Sequence, residues 1–121
     1  MYAHAKGRTQ AMKTDHTYIL IFHTDPGHGW LEVPVKEVRN SGVPISQCSY
    51  IKGDKAYLEE DCDAPAYLNY LDEKHIAYII DRDVHVNHDH PIRNYNNWPE
   101  EWTATHEEVM KYSEKRVYQN D

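Results

Sequence analysis

Hydrophobic and polar positions along the chain switch between strand-like and helix-like periods, and the switches mark its elements. Residues 17–23 (TYILIFH) are apolar or β-branched at nearly every position, the pattern of a strand buried on both faces. Asp25-Pro26-Gly27-His28-Gly29 ends that run with turn chemistry, and Trp30-Leu31-Glu32-Val33 resumes it, so the segment predicts a hairpin. Pro34 suits the first turn of a helix, Val35 and Val38 give a short apolar stripe, and Gly42 supplies a stop. Residues 45–51 (ISQCSYI) alternate as a strand, 52–55 turn the chain, and 56–58 return beside it. Asp63 reads as the N-cap of a helix over about 64–74, with Tyr67, Leu68 and Leu71 on its apolar face. Residues 76–80 (IAYII) predict another strand and 81–98 a long polar loop. The tail from Pro99 reads as helical, with a capping box at Thr105-His106-Glu107-Glu108 and Val109, Tyr112 and Arg116 on one face.

The order ββαββαβ–loop–α predicts an α+β fold, a mixed sheet of about five strands with helices packed on it. A length of 121 residues suits one domain, assigned to 17–119, with 1–16 as a flexible N-terminal extension whose first eleven residues lack the apolar middle of a signal peptide.

Composition narrows the class of partner. The formal charge is −7 with histidine neutral, and protonating all nine histidines would carry it to +2. Lys and Arg are scattered, so general nucleic-acid binding, which needs clustered cations, is not expected. No apolar run approaches the roughly 20 residues that cross a bilayer. Cys48 and Cys62, with no C-x-x-C pattern, fit a reducing compartment and lead to the expectation of a cytoplasmic protein.

Three segments offer chemistry. His23, Asp25, His28 and Trp30 surround a glycine-flanked turn, which reads either as a binding site or as a turn held by Asp25 accepting backbone amides. Residues 81–90 hold three histidines and three aspartates, the densest ligand supply in the chain. Asp81, Asp83, His85, His88 and His90 are the candidate ligands for zinc or another divalent metal, although the spacing matches neither H-x-H-x-D-H nor H-E-x-x-H. Glu59, Glu60 and Asp61 form an acidic run that could meet a cation or a basic partner, with alternation sending Glu60 to the opposite side from its neighbours. The strands at 17–23 and 76–80 both run into histidine-rich segments. If they are parallel neighbours those segments meet; if antiparallel, they lie at opposite ends.

The motifs HTDPGHGWLEV at 23–33 and YLEEDCDA at 57–64 resemble those of a group of small proteins carried by phages and other mobile elements. The similarity covers about residues 17–72. It implies a genomic setting and brings no activity with it. With no phosphate loop, nucleophile elbow or Cys–His spacing present, the expectation is a non-enzymatic accessory protein that binds a basic protein partner through an acidic surface, without a cofactor. The alternative is a metal-binding domain or metal-dependent hydrolase built on 81–90. The aromatic-rich composition also leaves room for a homodimer.

Overall fold

The computed structural model describes residues 12–14 and 17–119, with side chains over 17–112. The strands are β1 (Met12–Thr14), β2 (Thr17–Thr24), β3 (Gly29–Pro34), β4 (Tyr50–Lys52), β5 (Lys55–Glu59), β6 (Ala77–His85) and β7 (Asn96–Asn97). The helices are α1 (Val35–Ser41), α2 (Asp63–Glu73) and α3 (His106–Gln119), with 3₁₀ turns at Pro91–Asn94 and Glu100–Trp102. The expected α+β fold with a mixed sheet is present. Among the described residues the sheet has seven strands rather than about five.

β2 is its centre. β6 lies parallel to β2 along its whole length, whereas β1 and β3 pair with it antiparallel, at 17–19 and 21–24 respectively. Because β6 fills one edge of β2, β1 and β3 share the other, one after the other. From β3 the sheet continues through β5 and β4 to β7, every pairing antiparallel. Of the expected extension over 1–16, residues 1–11 and 15–16 lie outside the described ones; Met12–Thr14 are strand.

The core lies between one face of the sheet and the helices. Tyr18, Leu20, Leu31, Val33, Ala56 and Leu58 meet Val38 of α1, Ala64, Ala66, Tyr67 and Leu71 of α2, and Val109 of α3. Ile19, Ile21, Trp30 and Ile92 are buried outside this cluster. Alternation sends Ile19 and Ile21 to the opposite face from Leu20, as expected for a strand covered on both sides.

Element ends follow local chemistry. α1 stops where Gly42 takes φ 74°, its N–H donating to the Arg39 carbonyl. α3 begins with the predicted capping box: Thr105 N–H donates to Glu108 Oε1 at 2.8 Å, and Glu108 N–H to Thr105 Oγ1 at 3.1 Å. α2 ends with His75 in the left-handed region at φ 58°, its N–H donating to the Asp72 carbonyl.

Four expectations are corrected. Residues 45–49 are not strand, because Ser46 and Ser49 both turn inward to Asp63 and the strand starts only at Tyr50. Asp63 is not the N-cap of α2; that position is Cys62. The Asp63 carboxylate is buried and accepts from Ser46 N–H, Ser46 Oγ and Ser49 Oγ, which ties α2 to the 46–49 loop. The stretch 81–98 is not one loop: β6 continues to His85, and a 3₁₀ turn and β7 follow. Likewise the helix expected from Pro99 is a 3₁₀ turn, with α3 starting at His106. No helix among the described residues is long and apolar enough to cross a membrane.

Candidate functional site

Parallel pairing of β2 and β6 brings their C-terminal ends together, so the segments 24–28 and 86–93 meet at one end of the sheet. They are joined chiefly through Asp25, which is 4% exposed. Its Oδ1 accepts from the N–H groups of Gly27 and His28, both at 3.0 Å, closing the hairpin tip as an Asx turn. Its Oδ2 accepts from His90 N–H at 2.8 Å, and the Arg93 guanidinium grips both oxygens, Nε at 2.6 Å and Nη2 at 2.9 Å. Arg93, followed by these backbone amides, holds the Asp25 carboxyl well below the usual carboxylate range against the opposing effect of burial. Arg93 also stands 5.7 Å from the Trp30 ring and 3.9 Å from Asp89. Asp25 therefore locks two loops together, and its oxygens are fully engaged.

Behind this lock lies a histidine cluster. His23 Nε2 and Glu32 Oε1 are 2.8 Å apart, with side-chain exposures of 13% and 3%. The His23 ring sits edge-on to Tyr57 and to His90, whose centroid is 5.2 Å away, and its Nδ1 is buried without a hydrogen-bond partner. His90 Nδ1 accepts from Ile92 N–H at 3.1 Å, which leaves the proton of the neutral ring on Nε2. Burial, and then the neighbouring His23, push the His90 imidazole below its ordinary value. Register places His23, Trp30 and Glu59 on one face of the sheet, since directly paired residues project together.

The proposed metal ligands do not converge. His85 meets Thr24 Oγ1 through Nδ1 and Asn87 Oδ1 through Nε2, at 2.7 and 3.1 Å, on the surface. His88 donates from Nδ1 to the Asp89 carbonyl, also on the surface. His90 turns inward to His23 and Trp30. The ladder matches Leu20 with Ile80 and Ile21 with Arg82, so Asp81 is an extra residue bulged from the strand. That bulge puts Ile80 and Asp83 on one face, three residues apart. No group of three or more His, Cys, Asp or Glu among the described residues is arranged to hold a metal ion.

The acidic run divides as alternation predicts. Glu59 and Asp61 line a cleft of about 560 Å³ with His28, Trp30, Tyr50 and His106. Glu60 instead borders a groove of about 300 Å³ between α2 and strands β2, β3 and β6. Its Oε1 packs so closely on Gly29 that a Cβ there would come within 2.7 Å of it, and within 2.8 Å of the Phe22 ring. A larger residue at that position would force the Glu60 carboxylate and the Phe22 ring to shift. Glu59 Oε1 accepts from Cys62 N–H and Sγ. None of Glu59, Glu60 or Asp61 pairs with a Lys or Arg among the described residues. Burial, then Asp61 and Glu59, raise the Glu60 carboxyl above its usual value.

Sequence reasoning overlooked Glu32, Tyr57 and the Asp63–Ser46–Ser49 network. Glu32 had a signal: a carboxylate between Leu31 and Val33, in a strand buried on both faces, needs a partner inside. The Asp63 network had none, because its serines lie 14 and 17 residues away in a segment that reads as strand.

Fold and site together define a small α+β domain with a locked pair of loops at one end of the sheet and an acidic turn between two clefts. Comparison with family models, with curated proteins and with solved structures finds no match for this chain.

Proposed function

We propose that the protein is a non-enzymatic accessory protein that binds a basic protein partner through the acidic surface around Glu59–Asp61. The observation that carries the reading is the unpaired acidic turn: three consecutive carboxylates border two clefts with no Lys or Arg paired to them among the described residues. Carboxylates crowded in this way repel one another, and a cation from a partner relieves that repulsion. The resemblance of segments 23–33 and 57–64 to proteins of phages and other mobile elements suggests a host or phage protein as the partner.

The test uses the purified protein as bait in host extract, beside the double variant Glu60→Lys/Asp61→Lys. A basic protein retained at low salt, released as salt screens the contact, and lost with the variant is the expected result. Retention that ignores both salt and charge reversal would sink the reading.

A second reading, a divalent-metal-binding domain or metal-dependent hydrolase on 81–90, draws support from the parallel pairing of β2 and β6, which brings both histidine-rich segments to one end. The scatter of His85, His88 and His90 weighs against it. Stoichiometric zinc in protein purified without a metal column, lost in His85→Ala/His88→Ala, would favour it.

A further inference from the structure

The bulge in β6 decides which charge faces α2. Leu20 pairs with Ile80, so in an unbroken ladder the next position on that face, opposite Phe22, would belong to Arg82. The bulge at Asp81 instead moves Arg82 opposite Ile21, on the other face, and sets Asp83 opposite Phe22. One extra residue thereby exchanges a guanidinium for a carboxylate beside the groove between α2 and the sheet.

That groove, of about 300 Å³, has Phe22, Leu31, Leu68 and Ile80 in its lining, and Glu60 and Asp83 are its only charged members among the described residues. Phe22 and Leu68 are half-buried and Ile80 is 43% exposed, so three large apolar side chains around one depression stay partly in water. Glu60 is held in place there. Its N–H donates to the Gly29 carbonyl at 3.0 Å, and its carboxylate packs against Gly29 together with the Phe22 ring. Neither Glu60 nor Asp83 pairs with a Lys or Arg among the described residues.

The occupant has to answer both features. An apolar side chain alone would cover the walls and strip water from two carboxylates without replacing it, and a cation alone would leave the walls wet. A segment that carries both satisfies both. A second copy of this chain would bring a net charge of −7 to an already acidic place. The cleft on the other side of the acidic turn is less suited to a cation, because Arg93, His28 and His106 line it and Glu59 there already accepts from Cys62 N–H and Sγ.

We infer that the groove between α2 and strands β2, β3 and β6 is the anchor point for a basic partner, taking one large apolar side chain while a neighbouring Lys or Arg meets Glu60 and Asp83. The inference rests on the acidic-surface reading and deepens it, since it assigns the contact to one side of the turn and adds an apolar anchor to the charge.

The experiment selects displayed random short peptides on the full chain at low salt. The expected winners carry a Leu, Met or Phe with a Lys or Arg close by. The best of them should weaken about tenfold when its apolar residue is replaced by Ala, and about tenfold on Ile80→Asn or Asp83→Lys protein. Both positions are exposed, and the peptide's own Ala variant tests the anchor on unaltered protein. Asp54→Lys, the same charge change at the far end of β5, should have little effect. An equal loss on Asp54→Lys would reduce the contact to bulk charge and overturn the groove. Binding that ignores Ile80→Asn and Asp83→Lys but falls on Glu60→Lys/Asp61→Lys would overturn the groove and leave the acidic-surface reading standing. If no basic peptide is enriched, both fall. A wild-type dimer lost on Ile80→Asn would assign the groove to a second copy and overturn the proposal as well.

Discussion

At the scale of single residues, the end of the sheet is held by two groups that make stability fall as pH falls, each in its own pH window. The Asp25 carboxyl is depressed, so its contribution to stability is present above the unfolded carboxylate value, near ~4, and is lost as pH falls below it. The His90 imidazole is also depressed, and there too the unfolded chain takes the proton first. Its neutral burial therefore becomes a cost as pH falls from the unfolded value, near ~6.5, towards its folded value. Urea unfolding between pH 7 and 5 should show declining stability, with a shallower slope in His90→Asn, whose side-chain oxygen can still accept from Ile92 N–H. An unchanged slope would remove His90 from the account. Asp25→Asn should lower the melting temperature far more than Asp89→Asn, because Asp89 touches Arg93 only at 3.9 Å and is otherwise in solvent. The two cysteines differ as sharply. Cys48 is exposed; Cys62 is buried, and burial with Asp63 beside it pushes its thiol up. A thiol reagent should label one cysteine in the native protein and two only after denaturation.

At the scale of elements, the ends and edges of strands and helices carry the predictions. His75 ends α2 in a left-handed conformation that a side chain adopts at a cost, and His75→Gly should stabilise the fold by up to about 1 kcal/mol in chemical denaturation. Leu20 and Ile80 are register partners on the same face of the sheet, yet Leu20 is 0% exposed and Ile80 43%. Leu20→Ala should cost about 2–5 kcal/mol, as cavities in packed cores do. Ile80→Ala should cost about 1 kcal/mol or less, because nearly half of that side chain is already in solvent. Comparable losses would mean that the β6 edge is covered in solution. The apolar run at 76–80 locates this strand well, but does not reveal that it borders solvent. A run of hydrophobic residues reports the composition of a strand, whereas exposure depends on what lies beside it.

For the whole molecule, the relative direction of β2 and β6 matters most. An antiparallel pair would have placed Asp25 and Arg93 at opposite ends of the sheet, and the lock between them could not form. Their actual pairing spans 68 residues of sequence, a closure that local patterns do not encode. The same arrangement explains why the histidine-rich segment does not assemble as a ligand set: His90 is drawn inward by its backbone bond to Asp25, while His85 and His88 stay outside on the surface. The acidic run was legible throughout, since strict alternation after Leu58 separates Glu60 from Glu59 and Asp61.

The amino-acid sequence by itself determined the α+β class, the hairpin and its Asx-type turn, the stop at Gly42, the capping box at Thr105 and the two-sided acidic turn. Each of these depends on groups within a few residues of one another, where steric preference and hydrogen-bonding reach act directly. Only the tertiary structure decided that Asp25 is a lock between loops, that Asp63 binds two serines instead of capping its helix, and that Ile79 and Ile80 of β6 stay exposed while their register partners are buried. Those outcomes depend on pairing direction and on partners 14 to 68 residues away, which are selected by the packing of the whole sheet against its helices.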